Sequence, residues 1–418
     1  MLRFKTFLSD RKGHTSIIFG LSAVPLIMSL SLGVDYNQAL SHKTVIQNAL
    51  DSTVLMAARE APRQSDAELA KLSKAYFRAM LEKNPDITVS DPVLVKTDKH
   101  VSLSVSGSSP IHFGQFFGMD KWDLALSAQA GFATRKIELA LVLDNTGSMA
   151  SRNKLTELKK ASNSLLDILE KSARKPDQIK VALVPYTTRV RLDVALRDQN
   201  WLTNTPSGAP LPSGAYGYKL PASRLNWQGC VADRDKGFNN STNPFEAGNH
   251  ASKYPMVDCA YGPVAIMPLT ANWSALRTRI GEMKADGNTN IALGAQWGYE
   301  MLSGAAPFAE ASGDADTERF MILLTDGLNT QDRWNNSESA MNNDTRAMCD
   351  AITERGVAEA AKKLRIKLYT VLVIEGNETL LKNCASNPSM FKYVKDASEL
   401  NKVFKDIADE ISQIRLTM

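Results

Sequence analysis

Five oxygen-bearing side chains mark three places where this chain could hold a hard metal ion. Asp144, Thr146 and Ser148 take alternate positions in Asp144-Asn145-Thr146-Gly147-Ser148-Met149, after an apolar run over 137–143 that reads as a buried parallel strand. At the carboxyl end of such a strand, alternate side chains can lean into one crevice, where open α/β sheets bind ligands. One carboxylate beside two hydroxyls offers hard donors of low charge, suited to Mg2+, with Mn2+ or Ca2+ as alternatives. Thr289, in Gly287-Asn288-Thr289-Asn290, opens an apolar helical pattern. Asp326 follows a second buried strand over 320–325 and precedes Gly327. Ser, Thr and Asp at strand ends are also common caps. Capping explains Asp144 or Asp326 singly and the set of five oxygens poorly.

The elements that must position these oxygens alternate in the manner of a parallel α/β sheet. Leu155, Leu158, Ala161, Leu165 and Leu169 share one helical face, and a strand follows at 179–185. Helices are expected at 273–283 and 289–302, a strand at 319–325, a helix over 347–364, and strands at 367–374 and 391–394. Leu400, Val403, Phe404, Ile407, Ile411 and Ile414 form the stripe of a last helix, read as core packing. Between about 187 and 269 the pattern dissolves into Pro, Gly, Asn and Ser, with Trp201, Tyr216, Tyr218 and Trp227 among them. A structureless loop of that length is improbable in a compact domain, so an ordered subdomain of turns is expected. Its aromatics suit either a recognition surface or a small local core.

The chain has 418 residues, 44% hydrophobic and 22% charged, more than one domain ordinarily uses. A net charge of +4 without a Lys/Arg run, and without zinc-finger spacing or a glycine-rich phosphate loop, argues against nucleic acid. Residues 15–34 carry no charge and are long enough to cross a membrane. Arg3, Lys5, Arg11 and Lys12 precede them and Asp35 follows, which places residues 1–14 in the cytoplasm and the rest outside. A cleaved signal peptide is the rival reading, although no A-x-A site closes the segment. From 35 to 134 the pattern is helical to about 83, broken near Pro62, with Ser65 or Asp66 as cap, and then strand-like, a pilin-like layout. Cys230, Cys259, Cys349 and Cys384 all fall on the exported side, where an even number reads as disulfides. Proximity favours Cys230 with Cys259 and Cys349 with Cys384; three pairings are possible, and free buried thiols are the alternative.

The Asp-x-Thr-x-Ser pattern resembles the metal-ion-dependent adhesion site of von Willebrand factor type A domains. Thr289 stands where that family has its second-motif Thr, and Asp326-Gly327 where it has its third motif. Asp10-Arg11-Lys12-Gly13, Val34-Asp35-Tyr36 and Leu50-Asp51-Ser52 resemble the N-terminus of TadG-like proteins of the tight-adherence (Flp) pilus system. Val184-Pro185-Tyr186, Trp227-Gln228-Gly229-Cys230-Val231 and Cys384-Ala385-Ser386 extend that similarity through the second domain. It implies a single-pass bacterial inner-membrane protein with a periplasmic von Willebrand factor type A domain at 135–418, interrupted by the insertion. It further implies a role in pilus assembly or adherence beside other pilus components. The fifth residue after Gly13 is Ile18, where pseudopilins trimmed by a prepilin peptidase have Glu, so a retained anchor fits better.

Three functions follow. In the first, Mg2+ held by Asp144, Thr146, Ser148, Thr289 and Asp326 captures an acidic residue of a protein partner. In the second, the metal site is idle and the protein is a structural envelope scaffold. In the third it is a metal-assisted hydrolase. A serine hydrolase needs a His base. Of His14, His42, His100, His112 and His250, only His250 lies in the second domain, and no G-x-S-x-G occurs. Neither the partner nor the oligomeric state can be read from the residues.

Overall fold

The computed structural model describes residues 14–61, 64–97, 100–111, 120–132, 136–173, 175–204, 218–259, 262–314, 316–334, 337–357 and 362–414. Two compact units divide the chain, residues 1–134 and 135–418.

In the first unit a single helix, α1 (His14–Glu60), runs through the expected junction at 34–35 without a break, with Pro25 inside it. From Phe19 onward it is long and apolar enough to cross a membrane. Phe19, Leu21, Leu26, Ile27, Leu30 and Val34 are exposed on it. Its serines bond within the helix: the Ser29 hydroxyl donates to the Pro25 carbonyl at 2.8 Å and Ser31 to Ile27 at 2.7 Å. That removes the cost of carrying hydroxyls on an apolar segment. The second half of α1 is one-sided, with Ile46, Leu50, Val54 and Ala57 buried. They share a core with α2 (Asp66–Leu81), whose cap Ser65 accepts from the Glu68 amide at 3.3 Å. Beneath lies an antiparallel sheet of β1 (Thr88–Val89), β2 (Val93–Lys96), β3 (His100–Pro110) and β4 (Lys121–Gly131), with β1 and β2 on one edge of β3 and β4 on the other. The pairs Val101–Ala130, Leu103–Ala128 and Val105–Leu126 turn their apolar side chains to the helices, as strict alternation requires.

The second unit is built on a six-stranded sheet in the order β11 (Met267–Thr270), β6 (Ile179–Tyr186), β5 (Ile137–Asp144), β12 (Glu318–Thr325), β13 (Lys367–Val373), β14 (Phe391–Val394). All neighbours are parallel except β11, antiparallel to β6. The four longest strands are buried almost throughout, so they read as apolar runs instead of alternating patterns. On one face Leu139, Leu141, Leu183, Phe320 and Ile322 pack with α3 (Lys154–Ser172), α4 (Trp273–Glu282) and α8 (Leu400–Ile414). On the other, Ala140, Val142, Val184 and Met321 pack with α5 (Ile291–Ser303), α6 (Glu338–Ile352) and α7 (Glu378–Cys384). Close approach of α5 rests on two glycines. A Cβ on Gly294 would meet the Tyr186 ring at 2.6 Å, and one on Gly298 the Val142 Cγ2 at 2.5 Å.

Three expectations need correction. The helix expected over 347–364 is α6, Glu338–Ile352, nine residues earlier in its start; left-handed Glu354 (φ 49°) and Gly356 (φ 80°) end it. The insertion stops short of 269, because Met267–Thr270 is the antiparallel edge strand. The insertion is also no separate subdomain. Trp201, Trp227, Tyr254 and Met256 belong to the same core as α5 and the sheet, and the short ladders β7 (Val190–Arg191) with β9 (Cys230–Val231) and β8 (Leu202–Thr203) with β10 (Tyr254–Pro255) frame it. Its aromatics are therefore mainly core; Tyr216 lies outside the described residues. Disulfides join Cys230 to Cys259 and Cys349 to Cys384, the second tying α6 to α7.

Candidate metal centre

Strand order reverses between β5 and β12, the place where an open α/β sheet leaves a crevice at its carboxyl edge. Asp144 ends β5, and Asp326 directly follows β12. Thr146 Oγ1 donates to Asp144 Oδ1 at 2.6 Å, Thr146 and Ser148 hydroxyls meet at 3.0 Å, and Ser148 donates to Asp326 Oδ1 at 2.6 Å. Four of the five expected side chains thus form one hydrogen-bonded chain of oxygens spanning two strands. Asp144 is fully buried, and the cluster opens to solvent through the exposed Gly147 and Ser148.

The fifth, Thr289, is buried one residue before Asn290, the cap of α5. Its backbone is fixed by the Thr330 hydroxyl at 2.8 Å and by the Thr330 amide at 3.0 Å. Its loop reaches the first motif through backbone: Gly147 N donates to Gly287 O at 2.9 Å and Asp286 N to Asn145 O at 2.9 Å. The insertion braces this loop from behind. Asn290 Nδ2 donates to both oxygens of Asp233, at 2.9 and 3.0 Å, and the Arg333 guanidinium reaches the Asp233 carbonyl at 3.1 Å.

Two residues at the site were not legible as part of it. Thr325 Oγ1 donates to Asp144 Oδ2 at 2.7 Å, and Lys154 Nζ lies 2.5 Å from Asp326 Oδ2 with both side chains buried. The signal for Lys154 is its place at the first position of α3, where acidic residues are favoured and a cation opposes the helix dipole.

Burial pushes the Asp144 carboxyl up to about 6, and the charge of Asp326 adds to the effect, against the donated bonds of Thr146 and Thr325. Two carboxylates are therefore held together out of water with one buried ammonium near them. Asp326 Oδ2 is held by that ammonium at 2.5 Å. Two buried carboxylates, one of them with a raised pKa, and two neutral hydroxyls bridging them form a hard-oxygen donor set that fits a divalent cation. Among the described residues no three His, Cys, Asp or Glu side chains cluster, so any ion here leans on hydroxyl and water oxygens, as Mg2+ tolerates. Ser148 has no histidine among its described hydrogen-bond partners; His250 sits in the short turn His250–Ser252 of the insertion. His14 has no described side chain, and His112 lies outside the described residues.

Residues 13–60 match the family model described as Flp pilus-assembly TadE/G-like. That stretch is a TadE/G-like region. The second unit is a three-layer α/β fold whose mainly parallel sheet has one antiparallel edge strand. No curated protein matches the chain. Among solved structures, the pilus adhesin SpaC from Lactobacillus rhamnosus GG is similar at 12% identity over 79% of this chain and 35% of its own, TM-score 0.39. This chain thus spans about a third of that adhesin's length. The von Willebrand factor domain of the type V pilus tip protein Mfa5 from Porphyromonas gingivalis is similar at 10% identity over 68% and 98%, TM-score 0.37. Proximal thread matrix protein 1 of the mussel byssus, with a zinc-occupied adhesion-site motif, is similar at 12% identity over 66% and 48%, TM-score 0.35.

Proposed function

We propose that this chain is a TadG-like, membrane-anchored component of a tight-adherence pilus system, and that its second unit captures a protein partner through a divalent ion. The anchor is the 15–34 stretch of α1, with residues 1–14 in the cytoplasm and residues from 35 onward in the periplasm. Asp144, Thr146, Ser148, Thr289 and Asp326 hold the ion, Mg2+ by preference, with Mn2+ or Ca2+ as substitutes. The observation that carries the reading is the Asp144–Thr146–Ser148–Asp326 chain of oxygens at the strand-order reversal. When bound, the ion supplies a Lewis-acidic centre that an acidic side chain of the partner completes. The protein's own part is to present two carboxylates and two hydroxyls in fixed positions and to leave the solvent side open at Ser148. The partner is another component of the pilus machinery.

No hydrolytic role is assigned: among the described residues Ser148 donates to the Asp326 carboxylate and has no histidine partner of the kind a serine nucleophile uses. Capture from membranes by the detergent-solubilised chain, with and without chelator, tests the proposal. Capture that is lost with chelator and in Asp144→Asn supports it. Capture indifferent to both favours the envelope-scaffold reading.

A further inference from the structure

Lys154 is an unusual residue to find where it is. Its side chain is 3% exposed, and it begins α3, where the helix dipole repels a cation. The two residues before it, Arg152 (φ 50°) and Asn153 (φ 57°), are both left-handed, a conformation that non-glycine residues adopt only at a cost. Asn153 stands at the cap position and makes no side-chain cap bond. The local sequence therefore gives up a normal helix start in order to turn a lysine inward. Its ammonium lands 2.5 Å from Asp326 Oδ2, at the far end of the oxygen chain from Asp144.

We propose that Lys154 is a resident counter-cation of the metal centre that sets how strongly the centre holds its ion and how much it needs an acidic ligand. The inference rests on the metal reading above and deepens it. Charge accounting gives the mechanism. Asp144 and Asp326 together carry two negative charges, and Lys154 cancels one. A divalent ion added to that set keeps one positive charge, and one carboxylate from a partner completes neutrality. Without Lys154 the two carboxylates alone would neutralise the ion, and the partner's carboxylate would gain little by joining it. Before metal arrives, the same ammonium keeps Asp326 from standing as an uncompensated buried charge.

Titration calorimetry of Mg2+ into the detergent-solubilised full chain tests this, with wild type compared with Lys154→Met and Lys154→Arg. Lys154→Met should bind Mg2+ about tenfold more tightly or better, and its metal-free circular-dichroism melt should shift downward and recover when Mg2+ is added. Lys154→Arg, which keeps the charge, should stay near wild type. Lys154→Gln keeps a donor for Asp326 and replaces the Met variant in the comparison if that variant does not fold. Equal or weaker Mg2+ binding in the folded, charge-free variant overturns the role of Lys154 while leaving the metal site standing. Absence of Mg2+, Mn2+ and Ca2+ binding in wild type and variants alike overturns the metal reading itself.

Discussion

Glu300 offers a quantitative test of how the insertion is fastened to the core. It lies on α5, 5% exposed, and accepts from the Tyr254 hydroxyl at 2.8 Å, with the Arg234 guanidinium 4.0 Å away; both partners belong to the insertion. Burial pushes its carboxyl up to about 7, against the pull of Arg234 and Tyr254. Because the folded-state pKa lies above the ordinary value of 4.5, the folded protein holds this proton more tightly than the unfolded chain. The stability it contributes is complete below about pH 4.5 and is lost as pH rises through about 7, with a total on the order of 3 kcal/mol. Glu300→Gln keeps the acceptor for Tyr254 and cannot ionise. Urea unfolding followed by tryptophan fluorescence suits the test, since the Tyr254 ring lies 4.4 Å from the Trp297 ring, tilted at 41°, and 6.4 Å from the Trp201 ring. The difference between wild type and variant, taken at each pH from 5 to 8, cancels every other titration. Wild type should lose ground to the variant as pH rises. Parallel curves, or wild type gaining on the variant toward pH 8, would refute the burial argument and make the Arg234 pair the stronger influence.

Further outcomes follow from particular contacts. Replacing Cys349 and Cys384 by Ser frees α6 from α7 across a separation of 35 residues and should cost about 2–4 kcal/mol, measured by urea unfolding. Gly294→Ala drives a methyl into the Tyr186 ring and should destabilise by about 1–3 kcal/mol. Because α5 carries the loop with Thr289, the same change should weaken Mg2+ binding, read by calorimetry. Asp326→Ala should abolish Mg2+ binding, while Thr289→Ala should impair partner capture more than resting metal affinity.

The sheet was legible because its strands are buried on both faces and read as uninterrupted apolar runs between turn residues. The last helix was legible because Leu400, Phe404, Ile407 and Ile411 hold a single stripe. The edge strand β11 was not, since four residues of Met-Pro-Leu-Thr carry no period. The aromatics of the insertion looked equally suited to a surface or a local core; only the tertiary packing of Trp201 and Tyr254 on Trp297 decides it. At the candidate site, motif spacing pointed to the four oxygens that the fold joins by hydrogen bonds. It did not reveal Lys154, whose role depends on two left-handed residues that propensity disfavours, nor Thr325, hidden at the end of an apolar strand. It also placed Asp144 against an open crevice, whereas the residue is wholly buried and accepts from the Thr146 amide and the hydroxyls of Thr146 and Thr325. Removing its side chain leaves those donors unmatched, so Asp144→Asn is the cleaner probe of charge.

Asp144 and Asp326 are proposed to hold one divalent ion between β5 and β12. Calorimetric titration of Mg2+ into the detergent-solubilised full chain, wild type beside Asp144→Asn, with circular-dichroism melts of both, tests it most directly. Saturable binding in wild type, weakened on the order of a hundredfold in a folded Asp144→Asn variant, about 2.7 kcal/mol, is the predicted result. Unchanged Mg2+ affinity in that variant would mean that Asp144 is not a ligand of the ion.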